Sequence, residues 1–494
     1  MQTYEEALDF LDHIGKYSSH PGIENTSYLL SLLGHPERGL KIIHVAGTNG
    51  KGSVCAFLAD MLTARGYRTG LFTSPHLVDV RERIQLNREL IGPEDFAVCL
   101  GLVRDAADAL SREGYTGVTY FDYLFAAALC WYREKAPDYV VVETGLGGRL
   151  DSTSAALFPV LTIITSISLD HTELLGDTVA KIAAEKAGII VSGMPLIYCN
   201  DDPEACRVIT EEADRRFAPY IGIGRRNCSL SKEPSSTELM LPGQELSVRE
   251  NSISAAASAD CLKFTFRLSA GDCGPLRESI FSTDAFPDGI CDTLVVNSPA
   301  LYQAENAAIA YTAALWLHLL ASPQAQGPYR PPAPTGTCTV PDRVRADLLR
   351  GLAGSAWEGR FEQAAPGVYL DGAHNADGIR MLLASVRRVA AGRPVTLLFS
   401  AVKEKDTSEM IREICESGLF CRYLVTTVGG ARAIGPEQLK ECFLAHSAAL
   451  VAAYHSPQEA FLEGRRLTGP DEILLCAGSL YLVGIIKELL RSAS

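Results

Sequence analysis

The hydrophobic positions of this chain fall into short unbroken runs separated by stretches of helical spacing. Residues 41–46 (KIIHVA) read as a strand ending at a Gly-rich turn, and residues 52–65 (GSVCAFLADMLTAR) carry helical spacing behind it. A short run at 68–72 precedes a helical segment at 94–112. A long apolar helix at 121–135 leads into the β-branched run DYVVVET at 138–144, then VLTIITSIS at 160–168, then a helix through DTVAKIAAEKAGII. Strands buried on both faces read as continuous Val/Ile/Leu runs, so this alternation predicts a parallel sheet covered by helices.

The pattern changes near residue 222. From there to 298 the chain is rich in Ser, Gly and Pro, with alternating stretches LKFTFRLS and DTLVV that predict an antiparallel excursion. A helix returns at 301–320, and residues 321–341 then hold six prolines. That is too many for a helix or an inner strand, and an exposed insertion is expected. After the short helix DRVRADLLRGLA, a second strand-and-helix series begins near 356, running from GVYLDGA to EILLCAGSLYLVGII. The expected fold is α/β: a parallel-sheet phosphate-loop domain over 1–354 with its antiparallel excursion, and a smaller Rossmann-like domain over 355–494.

Composition narrows the function. Lys plus Arg number 45 against 59 for Asp plus Glu, a formal charge of −14 over 494 residues. An acidic balance disfavours a nucleic-acid partner, whose phosphates call for many exposed cations. No apolar window reaches the ~18 residues that span a bilayer, and the N-terminal MQTYEEALDF is acidic rather than secretory. The 14 cysteines form no CxxC pair and the ten histidines no HxH or HExxH. A cytoplasmic protein with buried free thiols, small-molecule substrates and no membrane partner is expected, as a monomer.

The strongest local signal is His44-Val-Ala-Gly-Thr-Asn-Gly-Lys-Gly-Ser53, between a strand and a helix. Glycines let backbone N–H groups converge on phosphate oxygens at a helix N-terminus. Gly47, Thr48, Asn49, Gly50 and Gly52 form the cradle; Lys51 can pair with the terminal phosphates, and Ser53 can ligate Mg²⁺. Gly52 between Lys51 and Ser53 departs from the strict loop pattern. Glu143 closes its strand at the carboxyl edge where such sheets bind ligands, a fitting Mg²⁺ oxygen donor. His171 and Lys186 taken alone would be an ordinary loop histidine and a solvated helix lysine.

Ten segments in order change that reading: HVAGTNGKGS, SPHLVDVRERIQLN, TYFDYLFAAA, ETGLGGRLDSTS, SLDHTELLGDT, AEKAGI, QAEN, WEGRFE, LDGAHN and GSLYL. Together they closely resemble the folylpolyglutamate synthase/dihydrofolate synthase family of the Mur ligase superfamily, over about 20–200, 300–320 and 355–485. The resemblance implies an ATP-dependent ligase that adds L-glutamate to dihydropteroate or to a reduced folate through an acyl phosphate. It implies two Mg²⁺ ions, with Ser53, Ser74, Glu143 and His171 as ligands and Lys186 as a carbamate-bearing lysine. Asn306, Arg360 and Asp371 match nucleotide contacts, and His374 and Ser479 match positions near the phosphates and the incoming glutamate. Thr119, Phe121 and Asp151 match pterin contacts, and Arg83 lies in the motif lining the rest of the folate site. Ser154 stands where Asn is usual, and Asp122 where Glu is common.

Family members that use dihydropteroate tend to read GGRLD after the metal glutamate, as Gly147–Asp151 do here, so both activities are expected. The competing expectation for Arg149 and Asp151 is a plain loop ion pair. Rival readings are a polyglutamylating enzyme only, a peptidoglycan-precursor ligase of the same superfamily, a phosphate-loop switch, and a binding-only descendant.

Overall fold

The computed structural model describes residues 1, 3–14, 23–115, 117–155, 158–230, 261–268, 290–320, 340–403, 405–430 and 432–492. The Pro-rich stretch expected to be an insertion lies outside the described residues, apart from Val340 and Pro341.

The first sheet comprises β1 (Ile42–Ala46), β2 (Thr69–Phe72), β3 (Ile84–Leu86), β4 (Glu89–Leu90), β5 (Tyr139–Glu143), β6 (Leu161–Ile164), β7 (Leu196–Cys199) and β8 (Tyr220–Ile223). Their order is β4-β3-β2-β5-β1-β6-β7-β8; β2, β5, β1, β6, β7 and β8 run parallel, and β3 and β4 add an antiparallel edge. β1, β2, β5, β6 and β7 are buried at every position, because helices cover both faces. On one side lie the helices Lys51–Ala64 and Gln303–Leu320, with Phe57, Leu58 and Tyr311 in the core. On the other lie Pro93–Arg112 and Tyr120–Lys135, with Phe96, Phe125 and Trp131.

The antiparallel excursion is present. β9 (Cys228–Leu230), β10 (Leu262–Leu268) and β11 (Ile290–Val296) form a three-stranded sheet in the order β11-β10-β9. β10 buries alternate residues, so one face packs on the core and the other meets solvent.

The second sheet follows a short connection. β12 (Arg360–Ala365), β13 (Val368–Asp371), β14 (Val395–Phe399), β15 (Phe420–Thr426), β16 (Leu450–Tyr454) and β17 (Ile473–Ala477) take the order β12-β13-β17-β14-β15-β16. Only β12 is antiparallel to its neighbour. β3, β4, β7, β8, β12 and β16, together with the N-terminal helices Tyr4–His13 and Ile23–Leu32, are absent from the periodicity reading. Among the described residues, no helix is long and apolar enough to cross a membrane.

Candidate active site

The carboxyl ends of β1, β5 and β6 meet at one edge of the first sheet, and the phosphate loop leaves from the first of them. Two glycines are required there. Gly47 has φ +152° and a side-chain carbon would sit 1.8 Å from Thr165 Oγ1; Gly50 has φ +88° and would meet Asn306 Oδ1 at 2.3 Å. The loop is stitched to the segment after β6: Thr48 N–H donates to Ser166 O (2.7 Å) and Thr165 Oγ1 to Asn49 O (2.7 Å). Lys51 is the first residue of the following helix, with Nζ turned back onto the carbonyls of Gly47 and Thr48 (both 3.1 Å). Lys51 is partly buried and held by the cradle. Ser53 is buried, and its Oγ accepts from Gln303 Nε2 (3.1 Å).

The acidic and basic groups converge on this loop. Glu143, the last residue of β5, is buried and accepts from Ser74 N–H (3.0 Å). Burial pushes its carboxyl up, while the Lys51 charge and the Ser74 N–H pull it back. Lys186 is buried too, contrary to the solvated lysine that helical spacing alone suggests; its Nζ donates to Gly47 O (2.7 Å). Burial, with the Lys51 charge adding to it, pushes Lys186 down to about 7. His171 adopts φ +49°, and burial and the Lys405 charge bring it down to about 4. The Glu143 carboxylate and the Ser53 hydroxyl are oxygen donors of the kind Mg²⁺ takes, and the His171 imidazole lines the same cleft as a nitrogen donor, so these residues can hold the ion. An unmodified Lys186 amine adds no oxygen to that set.

The second sheet supplies the opposite wall. The cleft between them is open to solvent, with a cavity volume of about 220 Å³, and Asn306, Arg360, Asp371 and His374 line it together with Gly47–Ser53, Ser74, Glu143, His171 and Lys186. Asp371, at the end of β13, accepts from Tyr302 Oη (2.6 Å) and Ala373 N–H (2.7 Å). His374 Nδ1 is 2.7 Å from Gly372 O, and burial brings its imidazole down to about 4.

Arg83, Thr119, Phe121, Asp151 and Ser479 do not line this cleft. Arg83 bonds to His76 Nδ1 (2.9 Å) and lies over the Tyr120 ring. Thr119 caps the helix Tyr120–Lys135 in a reciprocal box with Asp122: its Oγ1 accepts from Asp122 N–H (3.1 Å), and its own N–H donates to Asp122 Oδ2 (2.8 Å). Thr119→Ala is therefore expected to cost about 1 kcal/mol of stability in a urea titration, whatever it does to substrate binding. Phe121 lies behind Gly145, where a side-chain carbon would meet its ring at 2.9 Å. Asp151 accepts from Leu146 N–H (2.7 Å), Thr153 N–H (3.0 Å) and Thr153 Oγ1 (2.5 Å), so it shapes the GLGGRLD loop from within. The Arg149–Asp151 ion pair does not form; Arg149 Nε faces Glu185 instead (3.6 Å). Ser479 is buried, and its Oγ accepts from Tyr481 N–H (3.2 Å).

Sequence reading missed a polar bridge across the cleft. Lys405 Nζ donates to Asp170 Oδ1 (2.5 Å) and lies 3.1 Å from His171 Nε2. Burial alone would raise Asp170, but the charges of Lys405, His374 and His171 hold it well below the carboxylate range. Asn375 Nδ2 donates to Asp170 Oδ2 and to Asn49 Oδ1 (both 3.1 Å), and Asn49 Nδ2 donates to Asp377 Oδ2 (3.1 Å). Asp170 and Asn375 sit inside SLDHTELLGDT and LDGAHN, beside residues already singled out; Lys405 carried no such signal.

The phosphate loop, and the second α/β sheet that faces it across a polar cleft, are those of a Mur-class ATP-dependent ligase. Two family models match along the same division: the Mur ligase middle domain over residues 45–255, and the Mur ligase glutamate ligase domain over 359–480. The chain is 31% identical over 497 residues to the dihydrofolate synthase/folylpolyglutamate synthase of Bacillus subtilis, covering 99% of each chain. It matches the folylpolyglutamate synthase structure from Thermotoga maritima with a TM-score of 0.73 at 29% identity, covering 99% of this chain and 97% of that one. A solved FPGS–AMPPCP complex matches at a TM-score of 0.71 and 26% identity, covering 99% and 100%. This chain belongs to the folylpolyglutamate synthase/dihydrofolate synthase family.

Proposed function

We propose that the enzyme joins L-glutamate to folate-type carboxylates and accepts both dihydropteroate and the glutamate tail of a reduced folate. The observation that carries the ligase chemistry is the meeting of Lys51, Ser53, Glu143 and His171 with Arg360, Asp371 and His374 on one cleft. The dual acceptor range rests on the Gly147–Asp151 loop and on the full-length likeness to a relative named for both activities. The full-length likenesses to proteins named for folates favour this reading over a peptidoglycan-precursor ligase.

A carboxylate is a poor acyl donor because oxide is a poor leaving group. Transfer of the ATP γ-phosphoryl group gives an acyl phosphate and ADP; the glutamate amine then attacks the carbonyl, forming the amide and releasing phosphate. The loop amides and Lys51 hold the phosphates and offset the charge on the transferring group. Ser53, Glu143 and His171 would hold Mg²⁺, which when bound supplies further neutralisation of that charge. Arg360, Asp371 and His374 arrive from the second sheet, so the site is complete only when the two walls face each other, and their approach excludes water that would hydrolyse the acyl phosphate. Asp151 holds the GLGGRLD loop in shape, and Phe121 backs that loop at Gly145.

Purified enzyme given ATP, Mg²⁺ and glutamate should release phosphate with dihydropteroate and with a reduced folylmonoglutamate, each product one glutamate heavier by mass. Release with neither acceptor overturns the reading; release with the folate alone removes its dihydropteroate half. Asp151→Asn, which turns one loop-binding oxygen into a donor, should lower kcat/KM for dihydropteroate more than for the folate.

A further inference from the structure

The connection between the two domains lies against the phosphate loop. An added side-chain carbon at Gly52 would meet Trp357 Nε1 at 3.0 Å and Cζ2 at 3.1 Å, so the indole edge rests on the residue between Lys51 and Ser53. The face of the indole is occupied as well: the Arg88 guanidinium lies over it, 5.2 Å from the Trp357 ring centroid. Arg88 Nη1 is buried without a hydrogen-bond partner, which the face of an aromatic ring compensates in part. Arg88 Nη2 donates to Ala356 O (2.8 Å), and its Nε lies 3.4 Å from Asp60 Oδ1. Asp60 belongs to the helix that starts at Lys51, and its other oxygen accepts from buried Ser355 Oγ. The connection is thus fastened to the phosphate-loop helix at both its beginning and its third turn. Three residues after Trp357 comes Arg360, on the opposite wall of the cleft.

We propose that Trp357 is a positioning residue for nucleotide: in contact with Gly52 along its edge and with Arg88 over its face, it fixes the alignment of the Lys51–Ser53 segment with Arg360. Gly52 then has a reason of its own. A side-chain carbon there would crowd the indole by a few tenths of an ångström, so glycine suits contact with the connection as well as the phosphates. The inference rests on ATP binding in this cleft. It extends that reading to a residue that touches neither substrate nor the reacting atoms.

The test is a set of ATP titrations at saturating glutamate and folate. Misplacement of a binding group by about 1 Å costs up to about 100-fold, so Trp357→Ala should lower kcat/KM for ATP by tenfold to a hundredfold. KM for glutamate should stay within about twofold, and Arg88→Ala should show the same pattern more weakly. Trp357→Phe, which keeps an aromatic face for Arg88, should recover most of the loss. Fluorescence gives a readout that needs no variant. Trp131 and Trp316 are 4% and 3% exposed, so acrylamide quenching reports mainly Trp357, and ADP should reduce it. Wild-type kcat/KM for ATP in Trp357→Ala, or equal losses for ATP and glutamate, overturns the proposal. If Trp357→Ala does not fold, unchanged quenching on ADP binding together with wild-type ATP kinetics in Trp357→Phe and Arg88→Ala overturns it. Failure of the wild-type enzyme to bind ATP at all would instead refute the nucleotide reading of the cleft.

Discussion

Replacing Lys51 by alanine is expected to lower kcat by at least about 10³-fold, the scale seen when a cation facing a transferring phosphoryl group is removed. The loop should survive the change. Its shape depends on Gly47 and Gly50 and on the bonds from Thr48 N–H to Ser166 and from Thr165 Oγ1 to Asn49, none of which uses the lysine side chain. Only the Nζ bonds to Gly47 O and Thr48 O are lost, and water reaches this partly buried edge. Steady-state phosphate release beside a urea unfolding curve separates the two effects. Lys51→Arg should not restore the rate, because a planar fork cannot take the place of a compact ammonium in so tight a cradle. Turnover within tenfold of wild type would remove Lys51 from the mechanism.

Lys186→Ala should lower kcat by about 100-fold or more, on the scale of losing an outer group that organises a metal site. The side chain is buried against the loop, and burial brings its amine to about 7, so a substantial neutral fraction exists at physiological pH. A neutral amine can attack carbon dioxide to give a carbamate and a proton, and at Lys186 that would add an oxygen donor to the cleft that Glu143 and His171 line. Supplying formate or acetate to the alanine variant should recover part of the rate by placing a carboxylate in the vacated space. Enzyme prepared with ¹³C-bicarbonate should show a carbamate carbon by NMR in the wild type and none in Lys186→Ala. A fully active sample with unmodified lysine would exclude the carbamate, leaving Lys186 only its bond to Gly47.

The central strands and the phosphate loop were readable because their causes are local. β1 and β5 are unbroken apolar runs, and the loop needs glycine for φ and for clearance. The short β3 and β4 and the antiparallel β12 were not readable, because runs of 3 and 2 residues and a register broken by bulges carry no periodic signal. The same holds for the site. Glu143 announced itself at a strand end, whereas Lys405 meets Asp170 across 235 residues and nothing near either one signals the partner. Lys186 sits on a helix of ordinary polar spacing, and only packing against the phosphate loop makes it a buried base. Thr119 and Asp151 do not line the cleft; each side chain is engaged in shaping its own helix or loop.

The bridge of Asn49, Asp170, Asn375 and Lys405 works like the cuts on a key. Hydrogen bonds exchanged for water add little net energy, but an unmatched buried donor is costly. Asn375 must find Asp170 and Asn49 at once, while Lys405 reaches Asp170 between the walls, so one alignment of the two domains satisfies them all. A slip of a few ångströms in either direction leaves an amide or an ammonium stranded. Such a lock selects one alignment of the two walls without making it hard to leave, two properties a ligase needs to assemble its site and then let its product go.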